Sequence, residues 1–392
     1  MYDRIVTDAL PPFVFSEDQE DLRRTLNDFL ARESSVERVF AHIECDDGYD
    51  RTVWAKLAGQ IGLAAILVPE AYGGVGGTQV DMAVALEETG AALLCAPYFS
   101  TIVLATNALL EADDAEACAD FLPTIAEGRT VATLATDPRR AGTEPLHAAA
   151  QAAHRDNAWT LNGSALVAID GEAADLILVV AKDPNGVASL FAVAAGAQGV
   201  TRSRLGTLDL TRRQARIDLD GASARLVGAP GAGLEILARV LDLAATATAI
   251  EQIGGAQRCL DDAVAYTKQR IQFGRPIASF QAVKHLCADL LVELELGRSA
   301  AYYAAWTAAH SPDELPRAAA MARLWCSELF EHVAEESLQL HGGIGMTWEH
   351  HTHLYLRRAK SAELLLSGKT YHRRVLAAEI ERDRLGVDGP DS

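Results

Sequence analysis

Apolar residues recur at helical spacing from about Ser16 to Asp120, switch to short alternating runs between about Thr130 and Val227, then return to helical spacing as far as Glu381. In SEDQEDLRRTLNDFLARE a serine and early acids precede a stripe of Leu22, Leu26, Phe29 and Leu30, which predicts an amphipathic helix with a capped start. VPEAYGGVGGTQVD, residues 68–81, interrupts this all-helical part with a proline and four glycines. With no lysine or strand beside it, it reads as a connector rather than a phosphate cradle. The middle runs WTLNGSALVAI, DLILVVA, SLFAVAA and ARIDLDG, with Asn-Gly, Asp-Gly and Pro-Asn-Gly as turn signals, predict a β domain of roughly a hundred residues. After PGAGLEIL, breaks at GRPI, HSPDELP, HGGIG and LSGK delimit long helices that suggest a bundle. The expected plan is mainly α with a central β domain: an α-helical part over 1–125, a β domain over 126–230 and a helical bundle over 231–392. Strands and helices do not alternate, which argues against a doubly wound nucleotide fold.

Composition narrows the function classes. A chain of 392 residues with 49% hydrophobic content can bury a large core. Its formal charge of -19 argues against nucleic acid as a partner, while leaving room for a local basic pocket. The six cysteines are scattered without paired spacing and sit mostly among apolar neighbours, as expected in a reducing compartment. No segment approaches twenty uninterrupted apolar residues and no basic start leads into an apolar run. A cytoplasmic protein with no membrane span is expected.

Two longer motifs make the picture specific. RIQFGRPIASFQAVKHLCADL, from Arg270, resembles the signature that follows the first bundle helix of acyl-CoA dehydrogenases. QLHGGIGMTWEHHTHLYLRRAK resembles that family's second signature, with Glu349 and Arg357 at the expected spacing, and VPEAYGGVGG with Glu87–Thr89 resembles its N-terminal motif. The resemblance spans nearly the whole chain. It implies a middle β-barrel, a C-terminal four-helix bundle, an acyl-CoA substrate, FAD as cofactor and an electron-transfer flavoprotein or similar acceptor. It also implies a tetramer built from dimers.

In the family the first corner binds the FAD pyrophosphate, so the resemblance assigns Arg270, Gln272, Phe273 and Gln281 as cofactor contacts. A guanidinium suits phosphate oxygens, and a Gly-Pro turn presents backbone donors. Gln339, Gly342 and Gly343 similarly resemble the segment lying along the FAD of a neighbouring subunit, where glycine permits close backbone approach. ATDPRRAGTE resembles the family's Thr-Glu-Pro and Ala-Gly-Ser-Asp stretch, with Asp137 for Glu, one extra residue and Thr143 for Ser, and the resemblance implies that the Thr136 and Thr143 hydroxyls serve flavin and phosphate. One element departs from the pattern. Where relatives carry Trp-Ile-Thr beside the flavin ring, this chain has Val167, Ala168 and Ile169, so an aromatic wall and a hydroxyl donor are missing. Each lost hydrogen bond costs about 1 kcal/mol, and flavin binding in the chain's own pocket is expected to be weakened or rearranged.

The implied reaction removes the proton α to a thioester carbonyl while a hydride leaves the β carbon, and it needs a carboxylate shielded from water. The family's late glutamate falls at or next to Leu366, and Glu363 one helical turn earlier is a weak substitute. A second family placement falls near Ala244. Glu251 lies two helical turns beyond Ala244 on nearly the same face, among Ala, Ile and Gly, a setting that raises a carboxylate pKa. The alternative for Glu251 is a salt bridge, with Arg258 or a lysine. Asp242 is expected near the helix start as a capping acid. The region also resembles heteromeric, steroid side-chain members of the family from actinobacteria.

The sequence therefore implies an FAD-dependent acyl-CoA dehydrogenase of lipid or steroid degradation with Glu251 as base. The alternative is a half-site partner subunit in an α2β2 tetramer that does not turn over substrate itself. On a continuous helix Glu251 and Arg270 stand roughly 28 Å apart at about 1.5 Å per residue. One flavin cannot reach both, so two protomers must share each site. His341, His350, His351 and His353 crowd the second signature without the acid or cysteine partners of a metal site.

Overall fold

The computed structural model describes residues 14–137, 146–156 and 158–385. Its N-terminal part is helical: α1 (Glu17–Glu33), α2 (Val36–Glu44), α3 (Arg51–Gly59), α4 (Gln79–Ala91), α5 (Asn107–Glu111) and α6 (Ala115–Ala126). Ser16 caps α1 in a reciprocal box with Gln19, and Leu26, Phe29 and Leu30 of the foreseen stripe are buried. Between α4 and α5 the residues Phe99–Thr106 form a fully buried π-helix. Such a wide turn is rare and recurs at functional sites.

The middle part holds β1 (Ala132–Ala135), β2 (Ala150–Arg155), β3 (Ala158–Ile169), β4 (Leu176–Lys182), β5 (Ala188–Ala194), β6 (Val200–Arg204) and β7 (Gln214–Val227). β4 pairs with β2 and β5, β5 with β7, β7 with β3 and β3 with β2, so the strands close on themselves as a barrel. Closure removes the edges that an open sheet would expose. Asn162-Gly163, a turn signal in the sequence, does not turn the chain. It sits inside β3 at a register shift against β7, and the Asn162 side chain accepts from the Gly221 N–H at 2.8 Å.

The third part is α7 (Gly233–Gln269), the short hairpin of β8 (Ile271–Gln272) and β9 (Arg275–Pro276), then α8 (Gln281–His310), α9 (Leu315–His341), α10 (Thr352–Leu364) and α11 (Lys369–Leu385). Each foreseen break separates two of these elements. α7 is the axis of the molecule and packs against α4, α8 and α9. Its approach to α4 is made possible by two glycines. A Cβ on Gly90 would stand 2.3 Å from the Glu251 carbonyl oxygen, and one on Gly254 would stand 1.9 Å from that of Glu87. The crossing therefore sets how deep Glu251 lies.

Candidate active site

Glu251 sits in the middle of α7, 8% exposed, facing the seam between the β-barrel and the N-terminal helices. Thr89 and Leu94 around the end of α4, Ala96 with Tyr98 and Phe99 at the start of the π-helix, Asp170 after β3, and Thr211 with Arg212 before β7 enclose a space of about 10 Å³ beside it.

The carboxylate is not isolated as the sequence suggested. Arg212 Nη2 donates to both of its oxygens, at 2.7 and 2.6 Å, and the guanidinium lies 4.5 Å from the centre of the Phe99 ring. Arg258, the partner considered from sequence, instead pairs with Asp262 at 2.9 Å. A buried ion pair thus takes the place of the isolated, uncharged setting expected from sequence. Arg212 was missed because its partner lies 39 residues away in sequence. The one signal available was a pair of arginines at the mouth of a strand in an acidic chain.

The loop carrying Arg212 is itself fixed by buried charge. Asp209 accepts from the Thr211 N–H at 2.9 Å and pairs with Arg358 of α10, whose Nη2 donates to the Thr211 hydroxyl at 2.6 Å. Arg357, the arginine matched by the second signature, instead stacks on Trp348 at 5.3 Å. Asp170 has a left-handed backbone, φ +53°, and accepts from Ser100 at 2.7 Å. Burial pushes its carboxyl up to about 6 despite the nearby arginines.

The other carboxylates considered from sequence lie elsewhere. Glu363 pairs with Lys369 at 3.2 Å, and Leu366 is buried with φ +63°. Ala244 is buried within α7. Asp242 is no capping acid, because α7 begins at Gly233 and places it well inside the helix, 9% exposed. Burial pushes its pKa from 3.8 to about 7, with Arg239 opposing and Glu379 adding to the rise. Between about pH 4 and 7 the folded chain keeps a proton that the unfolded chain has released, so this group lowers stability as pH rises through that window. Asp242→Asn should therefore raise Tm increasingly from pH 4 to pH 8. A Tm difference that does not change with pH would contradict the assignment.

The corner lies just past the C-terminal end of α7, half a helix away from Glu251. The helix is unbroken from Gly233 to Gln269, so about 28 Å separates Arg270 from Glu251 along its axis. Arg270, Gln272 and Gln281 are exposed, and Phe273 is 90% exposed at the tip of the hairpin. Phe273 and Gly274 both have positive φ, +53° and +76°, as a tight primed turn demands. A bulky residue held there is strained, and its ring, though mostly in solvent, meets Phe280 edge-on at 6.1 Å. Gln339, Gly342 and Gly343 are likewise exposed, and nothing lies within 4 Å of a Cβ placed on either glycine. An exposed arginine and uncrowded glycines suit a phosphate group.

The barrel side fits a flavin ring less well. Thr136 exchanges backbone hydrogen bonds with Val167 at 2.9 and 3.1 Å, and its hydroxyl donates to the Val167 carbonyl at 3.3 Å. Val167, Ala168 and Ile169 add no donor or aromatic face of their own. Close by, Arg213 donates to the backbone carbonyls of His42, Cys45 and Asp46. Thr143 lies outside the described residues. Among the histidines, His351 pairs with Asp262 at 2.8 Å, and the rings of His341, His350 and His351 contact one another in sequence. Among the described residues no helix is long and apolar enough to cross a membrane.

Comparison with known proteins agrees with this architecture. Residues 16–129 match the acyl-CoA dehydrogenase N-terminal domain and residues 231–380 its C-terminal domain. The chain is 35% identical over 365 residues to acyl-CoA dehydrogenase IpdE2 of Mycolicibacterium smegmatis, covering 93% of this chain and 99% of that protein. It is 36% identical to acyl-CoA dehydrogenase IpdE2 of Mycobacterium tuberculosis, covering 92% of this chain and 96% of the relative. The solved ChsE4-ChsE5 complex of Mycobacterium tuberculosis superposes with a TM-score of 0.85 at 29% identity, over 94% of this chain and 98% of the matched one. With the helical ends matched, a barrel between them and a buried glutamate on the first bundle helix, the chain belongs to the acyl-CoA dehydrogenase family.

Proposed function

We propose that the protein introduces an α,β double bond into a CoA thioester, with FAD as cofactor and Glu251 as the base that removes the α proton. What carries this reading is the placement of Glu251: a carboxylate shielded from water at the junction of barrel and helices, backed by Arg212 and walled by Tyr98 and Phe99. FAD, when bound, supplies the acceptor for the hydride that leaves the β carbon. Arg270 and the exposed donors of the β8–β9 hairpin would hold its pyrophosphate, with Gln272, Phe273 and Gln281 alongside. Gln339, Gly342 and Gly343 would let its adenosine half lie close to the backbone. Because Glu251 and the Arg270 corner stand about 28 Å apart along α7, the cofactor held by Arg270 serves a neighbouring protomer. The functional unit is thus a dimer-based tetramer, and a soluble electron-transfer flavoprotein is the fitting reoxidant.

Arg270→Ala should cost flavin occupancy in the purified assembly while leaving its fold intact. A full complement of FAD in that variant would remove Arg270 from the cofactor site.

A second reading has its own support. The barrel wall of Thr136 and Val167 offers little to a flavin ring, and Arg213 is committed to backbone carbonyls nearby. A subunit with a poor ring site and a well-formed Arg270 corner suits an α2β2 assembly, and ChsE4-ChsE5, one of the similar structures, is a complex of two different chains. Purifying this chain alone and with a co-expressed homologue separates the two readings. Yellow, active protein from the single chain supports the first, and colour and turnover only in the mixed assembly support the second.

A further inference from the structure

The site beside Glu251 contains two hydrogen-bond donors that the base role leaves unused. Arg212 Nη1 and the Tyr98 hydroxyl are both buried and have no hydrogen-bond partner among the described residues. Both residues line the same small space as Glu251. Buried donors are nearly always partnered, so two orphans on residues that line one space call for an acceptor there. That space, about 10 Å³, is the size of one water or one ligand oxygen.

Abstraction of a proton α to a thioester places negative charge on the carbonyl oxygen, and that oxygen needs donors aimed at it. The N–H of Glu251 cannot serve, because an interior residue of α7 spends it on the helix ladder. Arg212 is placed to do so. Its Nη2 holds the carboxylate, and Nη1 belongs to the same rigid, planar fork, which the Phe99 ring packs against at 4.5 Å. An oxygen bound at Nη1 therefore belongs to a carbonyl whose α carbon lies within reach of Glu251.

Building on the assignment of Glu251 as base, we propose that Arg212 Nη1 and the Tyr98 hydroxyl bind the thioester carbonyl oxygen and stabilise the enolate formed when Glu251 takes the α proton. The α C–H bond breaks, the proton passes to a Glu251 oxygen, and the electron pair moves through the α carbon onto the carbonyl oxygen. Before the step the guanidinium faces a carboxylate, and after it faces an enolate. The buried site thus keeps the same net charge throughout, so the low-dielectric surroundings do not oppose the transfer.

The test uses phenylacetyl-CoA, which has α hydrogens but no β hydrogen to lose, so that enolisation is read apart from hydride transfer. The flavin-loaded assembly is incubated with it in D2O, and deuterium entry at the α carbon is followed by mass spectrometry. Wild-type protein should exchange. Tyr98→Phe should exchange about 100-fold more slowly with a Tm equal to or above wild type, because the lost hydroxyl has no partner in the free protein. Arg212→Lys, which keeps a cation near Glu251 but not the fork, should also slow exchange. Wild-type exchange with Tyr98→Phe unaffected would overturn this assignment and leave the base intact. Exchange in the wild type that survives Glu251→Gln unchanged would overturn the base and, with it, this inference.

Discussion

Glu251→Gln is expected to lower kcat/KM by about 10⁴-fold, the upper range for loss of a general base. The substitution preserves volume, and the amide oxygen can still accept from Arg212 Nη2, so the pocket keeps its shape. Flavin content should be unchanged, because the Arg270 corner lies about 28 Å away along α7. The expected signature is therefore an intact, fully loaded assembly that binds acyl-CoA without turnover. Stopped-flow measurement of flavin reduction on mixing with substrate checks it, and reduction at a wild-type rate would take Glu251 out of the mechanism. Glu251→Asp should be intermediate, since the shorter arm withdraws the base from the space it shares with Tyr98.

The second large effect is on folding. Asp209→Ala should destabilise the protein by about 3–5 kcal/mol, the usual cost of leaving one member of a buried ion pair without its partner. Asp209 and Arg358 are 1% and 5% exposed, and the pair ties α10 to the loop that carries Arg212. Chemical denaturation reads the loss directly. Adding Arg358→Met to Asp209→Ala should recover part of it, because an apolar side chain leaves no stranded charge. A loss below about 1 kcal/mol would mean that the pair is hydrated in solution and does not hold the loop.

Periodicity made the α–β–α plan legible because elements such as α1 and β7 bury one face, and Ser16, the alternating strands and the Gly-Pro breaks mark where the pattern changes. Asn162-Gly163 misled as a turn because a bulge uses the same residue types as a hairpin, and only pairing with β7 distinguishes them. Glu251 could be named as a candidate from sequence because the family resemblance places a base near Ala244 and helix geometry puts Glu251 on nearly the same face. Its environment could not. Arg212, Tyr98, Phe99 and Asp170 come from three separate segments, and the neighbours that decide a carboxylate's chemistry are fixed only when barrel and helices close on α7. The capping role expected of Asp242 failed for a local reason: α7 starts ten residues earlier, at Gly233, than an acid cap would require.

The most direct measurement is a cryo-EM structure of the flavin-loaded assembly with a bound, unreactive acyl-CoA analogue. The α carbon is expected within about 3.5 Å of a Glu251 oxygen, the thioester oxygen between Arg212 and Tyr98, and a neighbouring protomer's flavin pyrophosphate on Arg270. An α carbon beside a carboxylate of another chain, with Glu251 still closed on Arg212 and no ligand near it, would contradict this placement.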